Sequence, residues 1–308
     1  MNDVYQKTLS KEVTFQGIGL HSGKNAIMKL LPGKEDQGIV FKRVDLSTNN
    51  LIKANFNNVS SARLCTTLEN NHGVKVSTVE HLMAAFYIAG VDNALVEINS
   101  DEVPIMDGSS KDFLDVLQKT DLVNQIKKRK YLKIFDKIEL VDGKRKISIE
   151  PNKQSLEVDF QLDYESKIIG KQKNVVDFQK NNLEEVSSSR TFCLFEDIEK
   201  IKKFGLAKGG SLDNAVVVDK DKVLNKEGLR NDKEFVNHKI LDLAGDFMLS
   251  GHRILGKVIC FQGGHELTNL FLRKIFKTST SFKLIESSNY VVSKKLQSKE
   301  FEKIAVNA

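Results

Sequence analysis

Two short stretches of this 308-residue chain carry side chains suited to hydrolytic chemistry. In residues 235–249, FVNHKILDLAGDFML, His238, Asp242 and Asp246 stand four apart, which on a helix sets all three on one face. Leu241, Leu243, Ala244, Phe247 and Met248 supply apolar cover, so the polar row is expected to face the interior or a cleft. An imidazole and a carboxylate one helical turn apart can hold a metal ion, but a tetrahedral catalytic site needs a third protein ligand and an open position for water. Residues 77–86, STVEHLMAAF, offer one, because Glu80 and His81 stand side by side where an apolar run begins. His81 would complete the ligand set. Glu80 would then stand beside the water as general base, as the carboxylate next to a ligand histidine does in HExxH sites.

Each feature also has a plainer reading. Ser77 followed three residues later by Glu80 fits a capping box, which accounts for Glu80 but leaves His81 unexplained. An HxxxD pair alone is more often a surface ion pair. His265, in FQGGHELTN, could be a capping or surface residue. Beside a hydrolytic metal, an imidazolium held by a carboxylate such as Asp246 becomes an acid or electrostatic stabiliser. SSSRTF, residues 187–192, adds hydroxyl donors, but spacing alone does not single out Thr191.

The elements that must position these residues are short. EVTFQGIGL and NAIMKLLPG read as strands, STVEHLMAAFYIAG and SKDFLDVLQK as helices, and NALVEIN between them as a strand. NQIKKRK reads as a polar, basic linker. A second strand-rich block follows in YLKIFDKIELVDG, RKISIEP and LEVDFQLDY, then helical patterns near residues 195–203 and 235–249, the strand GKVICFQGG and the helix ELTNLFLRKIF. Strands followed by helices occur twice, which predicts an α+β fold of two domains with related layout, 1–125 and 126–308, the first contributing Glu80 and His81 and the second His238, Asp242 and His265. GIGLHSGK, residues 17–24, lacks the spacing of a phosphate loop and reads as a turn between strands.

Composition narrows the class. Hydrophobic residues make up 40% of the chain, enough for a sizeable core. The N-terminal MNDVYQKTLSKEVTF has no apolar run and no later stretch is long enough to span a bilayer, so the expected location is the cytoplasm. Three cysteines without CxxC spacing point away from a disulfide framework or a cysteine zinc site. The formal charge of +6 suits nucleic acid, an anionic surface or an anionic substrate. With no tryptophan and no aromatic-studded basic motif, a base-stacking platform is poorly supported, and most of the lysines read as a solvated surface.

In order along the chain, GIGLHSGK, STVEHL, VPIMDGSS, SRTF, GLAKGGSLDNAVVVD, VLNKEGLR, FVNHKILDLAGD and GGHELTN resemble the UDP-3-O-acyl-N-acetylglucosamine deacetylase (LpxC) family, zinc amidases of lipid A biosynthesis. The resemblance runs from about Gln6 to the helix after His265. It implies two similar layered α/β-sandwich domains with the active site between them, and Zn2+ held by His81, His238 and Asp242. It further implies Glu80 as general base, His265 as acid or electrostatic partner, Asp246 as its support, Thr191 as oxyanion donor and Lys239 as a contact to the anionic part of the substrate. A second-domain insert, here residues 192–217, would form a hydrophobic passage for the acyl chain with Phe192, Ile198, Ala207, Gly210 and Ser211. Leu20, from the GIGLHSGK motif, joins them as a substrate contact. Tyr164 would stack on the nucleotide. The expected partner is the UDP-linked acylated glucosamine, with no nucleic acid, no stable membrane insertion and a monomeric state.

The chain departs from the family pattern at two places. RTFCL replaces the usual RTFGF, so Leu194 stands for an aromatic, and Gln262 stands where a lysine is common. Both bear on UDP binding and leave the metal chemistry intact. Two other readings remain at this point: a zinc amidase acting on a different acylated amino sugar, distinguished by competition with UDP and by acyl-length dependence, and a basic protein binding nucleic acid or anionic lipid without a metal requirement.

Overall fold

The computed structural model describes residues 4–287. Residues 1–3 and 288–308 of the two expected domain ranges therefore lie outside the described residues. Six α-helices occur among the described residues: α1 (Glu80–Ala89), α2 (Lys111–Lys119), α3 (Glu184–Ser188), α4 (Phe195–Lys203), α5 (Glu234–Met248) and α6 (His265–Lys277). With several sheets they make a mixed α+β fold, and among the described residues no helix is long and apolar enough to cross a membrane.

Two sheets carry the layout. In the first, the strands run in the order Val13–Ile18, Asn25–Pro32, Ala94–Ile98, Ile39–Arg43 and Leu51–Lys53. The central strand, Ala94–Ile98, pairs antiparallel with Asn25–Pro32 and parallel with Ile39–Arg43. In the second sheet the path Ile138–Asp142, Arg145–Pro151, Arg253–Phe261, Leu156–Asp163 and Lys171–Asp177 has the same succession of pairings. Its central strand, Arg253–Phe261, again takes one antiparallel and one parallel neighbour along residues 256–261, while residues 253–255 pair parallel with Lys130–Ile134. In both cases a helix precedes the central strand and another follows it, α1 and α2 in the first, α5 and α6 in the second. The second sheet also takes in Lys130–Ile134 and Phe282–Glu286.

Sequence pattern accounts for the strands that face the core. Asn25–Pro32 buries Ala26, Met28 and Leu30 and exposes the residues between them, the period of two that a half-covered strand requires. α1 is different, because residues 80–87 are all buried and the helix is covered nearly all round. It packs on α5, itself buried along almost its whole length.

Two expectations fail locally. NQIKKRK is no linker, since residues 122–128 form a strand paired antiparallel with Tyr5–Leu9. Its polar character reflects a two-stranded ribbon with most side chains in solvent, where backbone pairing rather than burial sets the conformation. The capping box is also absent. α1 begins at Glu80 without a side-chain cap; Ser77 Oγ donates to Asp101 O at 3.1 Å, and the Glu80 carboxylate accepts from the Thr66 amide instead. GIGLHSGK does turn between two strands. The Glu102 carboxylate accepts from the His21 and Ser22 amides at 2.8 and 2.7 Å, so a protein carboxylate occupies the turn's donors.

Candidate metal centre and active site

α1 enters and α5 crosses it so closely that the two helices bring Glu80 and His81 against His238, Asp242 and Asp246. Gly245 permits the crossing: a Cβ there would lie 2.1 Å from Glu80 O and 3.1 Å from Ala84 N. Just before α1, Thr78 holds φ 56°, a left-handed value that a β-branched residue rarely adopts, and its hydroxyl donates to Glu102 Oε1 at 2.8 Å. This fixes the direction in which the helix starts.

His81, His238 and Asp242 place ligand atoms within 4.8 Å of one another, all three side chains buried. His81 Nε2 and His238 Nε2 lie 3.5 and 3.4 Å from Asp242 Oδ1. That oxygen is buried and has no hydrogen-bond partner. A bare carboxylate oxygen facing two imidazole nitrogens is costly in a protein interior unless a cation joins them. The donor set of two nitrogens and one oxygen suits a divalent metal such as zinc. His238 Nδ1 faces Ser189 O at 3.1 Å; a carbonyl only accepts, so Nδ1 carries the proton and the Nε2 lone pair points to the ligand cluster. Burial pushes the His238 pKa down to about 3, so this imidazole is neutral, as a ligand must be. For Asp242, burial opposes ionisation, but the cations beside it, the Lys239 ammonium whose Nζ donates to Oδ2 at 3.0 Å and the His265 ring, hold the carboxyl well below its usual range.

A second set of groups adjoins the first. His265 begins α6, with Nδ1 2.8 Å from Asp246 Oδ2 and Nε2 3.7 Å from Glu80 Oε1. Burial works against its charge, but Asp246, Glu80 and Asp242 outweigh it and raise its pKa to about 10. The ring is therefore an imidazolium at neutral pH, its Nδ1 proton committed to Asp246. The Glu80 carboxyl is raised chiefly by burial, with His265 and His81 opposing. An acid made more basic and a cation held beside it form a pair able to accept and return protons.

Thr66 joins these parts and escaped the reading of the sequence. Its amide donates to Glu80 Oε2 at 3.0 Å and its hydroxyl to Asp246 Oδ1 at 2.6 Å. It lies in an irregular segment 14 positions before Glu80, where no periodicity or motif signals it. Ser189 was missed for the same reason, since its part is played by a backbone carbonyl.

Two cavities open beside the centre. One, of about 420 Å³, is lined by Tyr164, Thr191, Phe192, Lys239, His265 and Arg145 among others. The second, about 350 Å³ and mostly apolar, has Leu20, Phe192, Ile198, Ala207, Gly210 and Ser211 in its wall, with Thr191 shared between the two. Lys239 Nζ lies 5.4 Å from the Phe192 ring centroid, and Tyr164 meets the same ring edge-on at 6.0 Å. The sequence-predicted substrate residues thus gather around two connected walls, one polar and one apolar. Leu194 lines the polar cavity. Gln262 donates from its side-chain amide to Asp163 O.

A buried place for a metal ion, an acid and base pair beside it, and adjoining polar and apolar cavities describe a hydrolase of amphiphilic substrates. The profile of the family LpxC, UDP-3-O-acyl N-acetylglycosamine deacetylase, matches residues 6–277, and the chain belongs to that family. It is 41% identical over 285 residues to the UDP-3-O-acyl-N-acetylglucosamine deacetylase of Teredinibacter turnerae, covering 92% of this chain and 93% of the relative. It is 40% identical over 282 residues to that of Pseudoalteromonas translucida, covering 91% and 93%. To that of Haemophilus ducreyi it is 37% identical over 285 residues, covering 92% and 93%.

Proposed function

We propose that this chain hydrolyses the N-acetyl group of UDP-3-O-acyl-N-acetylglucosamine, releasing acetate and a free amine in lipid A biosynthesis, with Zn2+ held by His81, His238 and Asp242. The observation that carries the metal assignment is the unpartnered, buried Asp242 Oδ1 with an imidazole nitrogen on either side at 3.4 and 3.5 Å. Bound there, zinc polarises the amide carbonyl and lowers the pKa of water.

The remaining work falls to the chain's own groups. Glu80 takes the proton of the attacking water; its carboxyl is held by the Thr66 amide on Oε2, which leaves Oε1 toward the cleft and His265. The Thr191 hydroxyl stabilises the oxyanion as the carbonyl becomes tetrahedral. His265, steadied by Asp246, presents Nε2–H as an electrostatic partner and stands in reach to protonate the leaving amine. Lys239 and Tyr164 in the polar cavity receive the UDP moiety. Leu20, Phe192, Ile198, Ala207, Gly210 and Ser211 line the passage for the acyl chain, supported by the apolar wall they form.

The repeated pairing pattern supports two similar layered α/β domains, 1–125 and 126–308, with the site between them at the α1 and α5 crossing. The protein acts as a cytoplasmic monomer on this reading. Acetate release is measured with purified protein, then after chelation, then after stoichiometric zinc is returned. Release that disappears and returns supports the reading. No release from zinc-loaded, folded protein across several acyl lengths, or release insensitive to UDP, would point to a different acylated amino sugar.

A further inference from the structure

Behind the metal centre lies a buried ion pair that the reaction does not use. Arg190 is 1% exposed and Glu234 0%. Glu234 Oε1 accepts from Arg190 Nε at 2.8 Å and from the Arg190 amide at 3.1 Å. Its Oε2 accepts from the Arg230 amide at 2.7 Å and from Arg190 Nη2 at 3.3 Å. The same Nη2 donates to Gly228 O at 2.7 Å, and Nη1 reaches Glu227 Oε1. Burying two charges this completely is a weak source of stability, because desolvation consumes most of the Coulombic gain. What such a pair does provide is geometry, since the guanidinium fork and a four-times-bonded carboxylate allow one arrangement.

The residues fixed by that arrangement are those beside the site. Arg190 lies between Ser189, whose carbonyl orients the His238 ring, and Thr191, which lines both cavities. Glu234 opens α5 and stands one helical turn before His238, on the same face. The segment is also tied to the other ligand helix: the Thr191 amide donates to Gly108 O at 2.8 Å, the Ser110 amide to Ser187 O at 3.0 Å, and Ser110 Oγ to His81 O at 2.7 Å. Arg230 Nη1 adds bonds to Asp107 Oδ2 and Ser188 O. Residues 187–191 are thus joined to both ligand histidines, through Ser189 O to His238 and through Ser187 O and Ser110 to His81, as well as to the ion pair itself.

We propose that the Arg190–Glu234 pair is a positioning element for the metal centre: it locks residues 189–191 to the start of α5, so that His238 and Thr191 are set together. The inference rests on the reading of His81, His238 and Asp242 as metal ligands. Arg190→Lys removes the fork while keeping the charge; Glu234→Gln keeps size while turning one acceptor into a donor that faces donors. The two are compared with the unaltered chain by zinc dissociation constant, by the visible spectrum of the cobalt-substituted protein, and by kcat and KM, all well below the melting temperature. Zinc binding about tenfold weaker or more, a changed cobalt spectrum and a fall in kcat with KM little altered are expected. A lower melting temperature with cobalt spectrum, zinc affinity and kcat unchanged, in whichever variant folds, would overturn the positioning role. Failure of the unaltered chain to bind cobalt stoichiometrically would instead remove the ligand reading.

Discussion

Gly245→Ala is the change whose outcome the structure fixes most sharply. In an ordinary helix interior alanine is favoured over glycine by about 1 kcal/mol, so propensity alone predicts a more stable protein. At this position the added Cβ would lie 2.1 Å from Glu80 O and 2.9 Å from Glu80 C, where ordinary contact begins near 3.4 Å. Both obstacles are backbone, so no side-chain rotation relieves them, and α1 must move from α5 by about 1.3 Å at this point. That separation falls between Glu80 and His81 on one side and His238, Asp242 and Asp246 on the other. A displacement of about 1 Å typically costs on the order of 10²-fold in rate, and overpacking costs about 1–3 kcal/mol in stability. The assay is kcat/KM for acetate release together with zinc affinity and thermal unfolding. A variant with unchanged kcat/KM and zinc affinity would refute the claim that the helix crossing sets the site, and raised stability would show that propensity had won.

Three further outcomes follow from the geometry. Glu80→Ala should retain zinc with near-normal affinity yet lose about 10²–10⁴-fold in kcat, the usual contribution of a positioned base; metal content measured beside turnover checks it. The His265 pKa, raised to about 10, means that its imidazolium is present below that value and lost as pH rises through it. Asp246→Asn withdraws the largest attraction opposing burial, so the alkaline fall of kcat/KM should move to lower pH; an unmoved limb would take His265 out of it. Ile198→Glu in the apolar wall should weaken binding of long-chain substrates while sparing short ones, at about 0.8 kcal/mol for each methylene no longer buried, as read from kcat/KM against acyl length.

What the sequence disclosed, and what it hid, divides by the range of the forces involved. His238, Asp242 and Asp246 were legible because a helix converts a spacing of four into a shared face without reference to the rest of the chain. Glu80 was visible as a residue type, but the local rule applied to it, the capping box, gave the wrong partner: Thr66 provides its hydrogen bond and Ser77 does not. Thr66, Ser189 and Gly245 act through a backbone amide, a backbone carbonyl and a missing Cβ, and each has meaning only once another segment is beside it. The strand at residues 122–128 was hidden likewise, because its pairing with Tyr5–Leu9 is settled by neighbours and its polar side chains resemble those of a linker.

The repeated topology explains why the site is where it is. α1 and α5 occupy equivalent places, each the helix before the central strand of its sheet, and they pack directly on one another. On the proposed ligand assignment, a cation held by His81 from one and by His238 and Asp242 from the other would bridge equivalent elements. Its binding energy stabilises their packing only in the folded chain, since the ligands lie 157 and 161 positions from His81 along the sequence and no local structure gathers them. Added zinc should accordingly raise the melting temperature with free metal concentration, as binding to the folded state requires. His238→Ala, which keeps both helices but removes one ligand, should abolish that dependence while Glu80→Ala preserves it. The contrast separates the groups that hold the metal from the group that acts beside it.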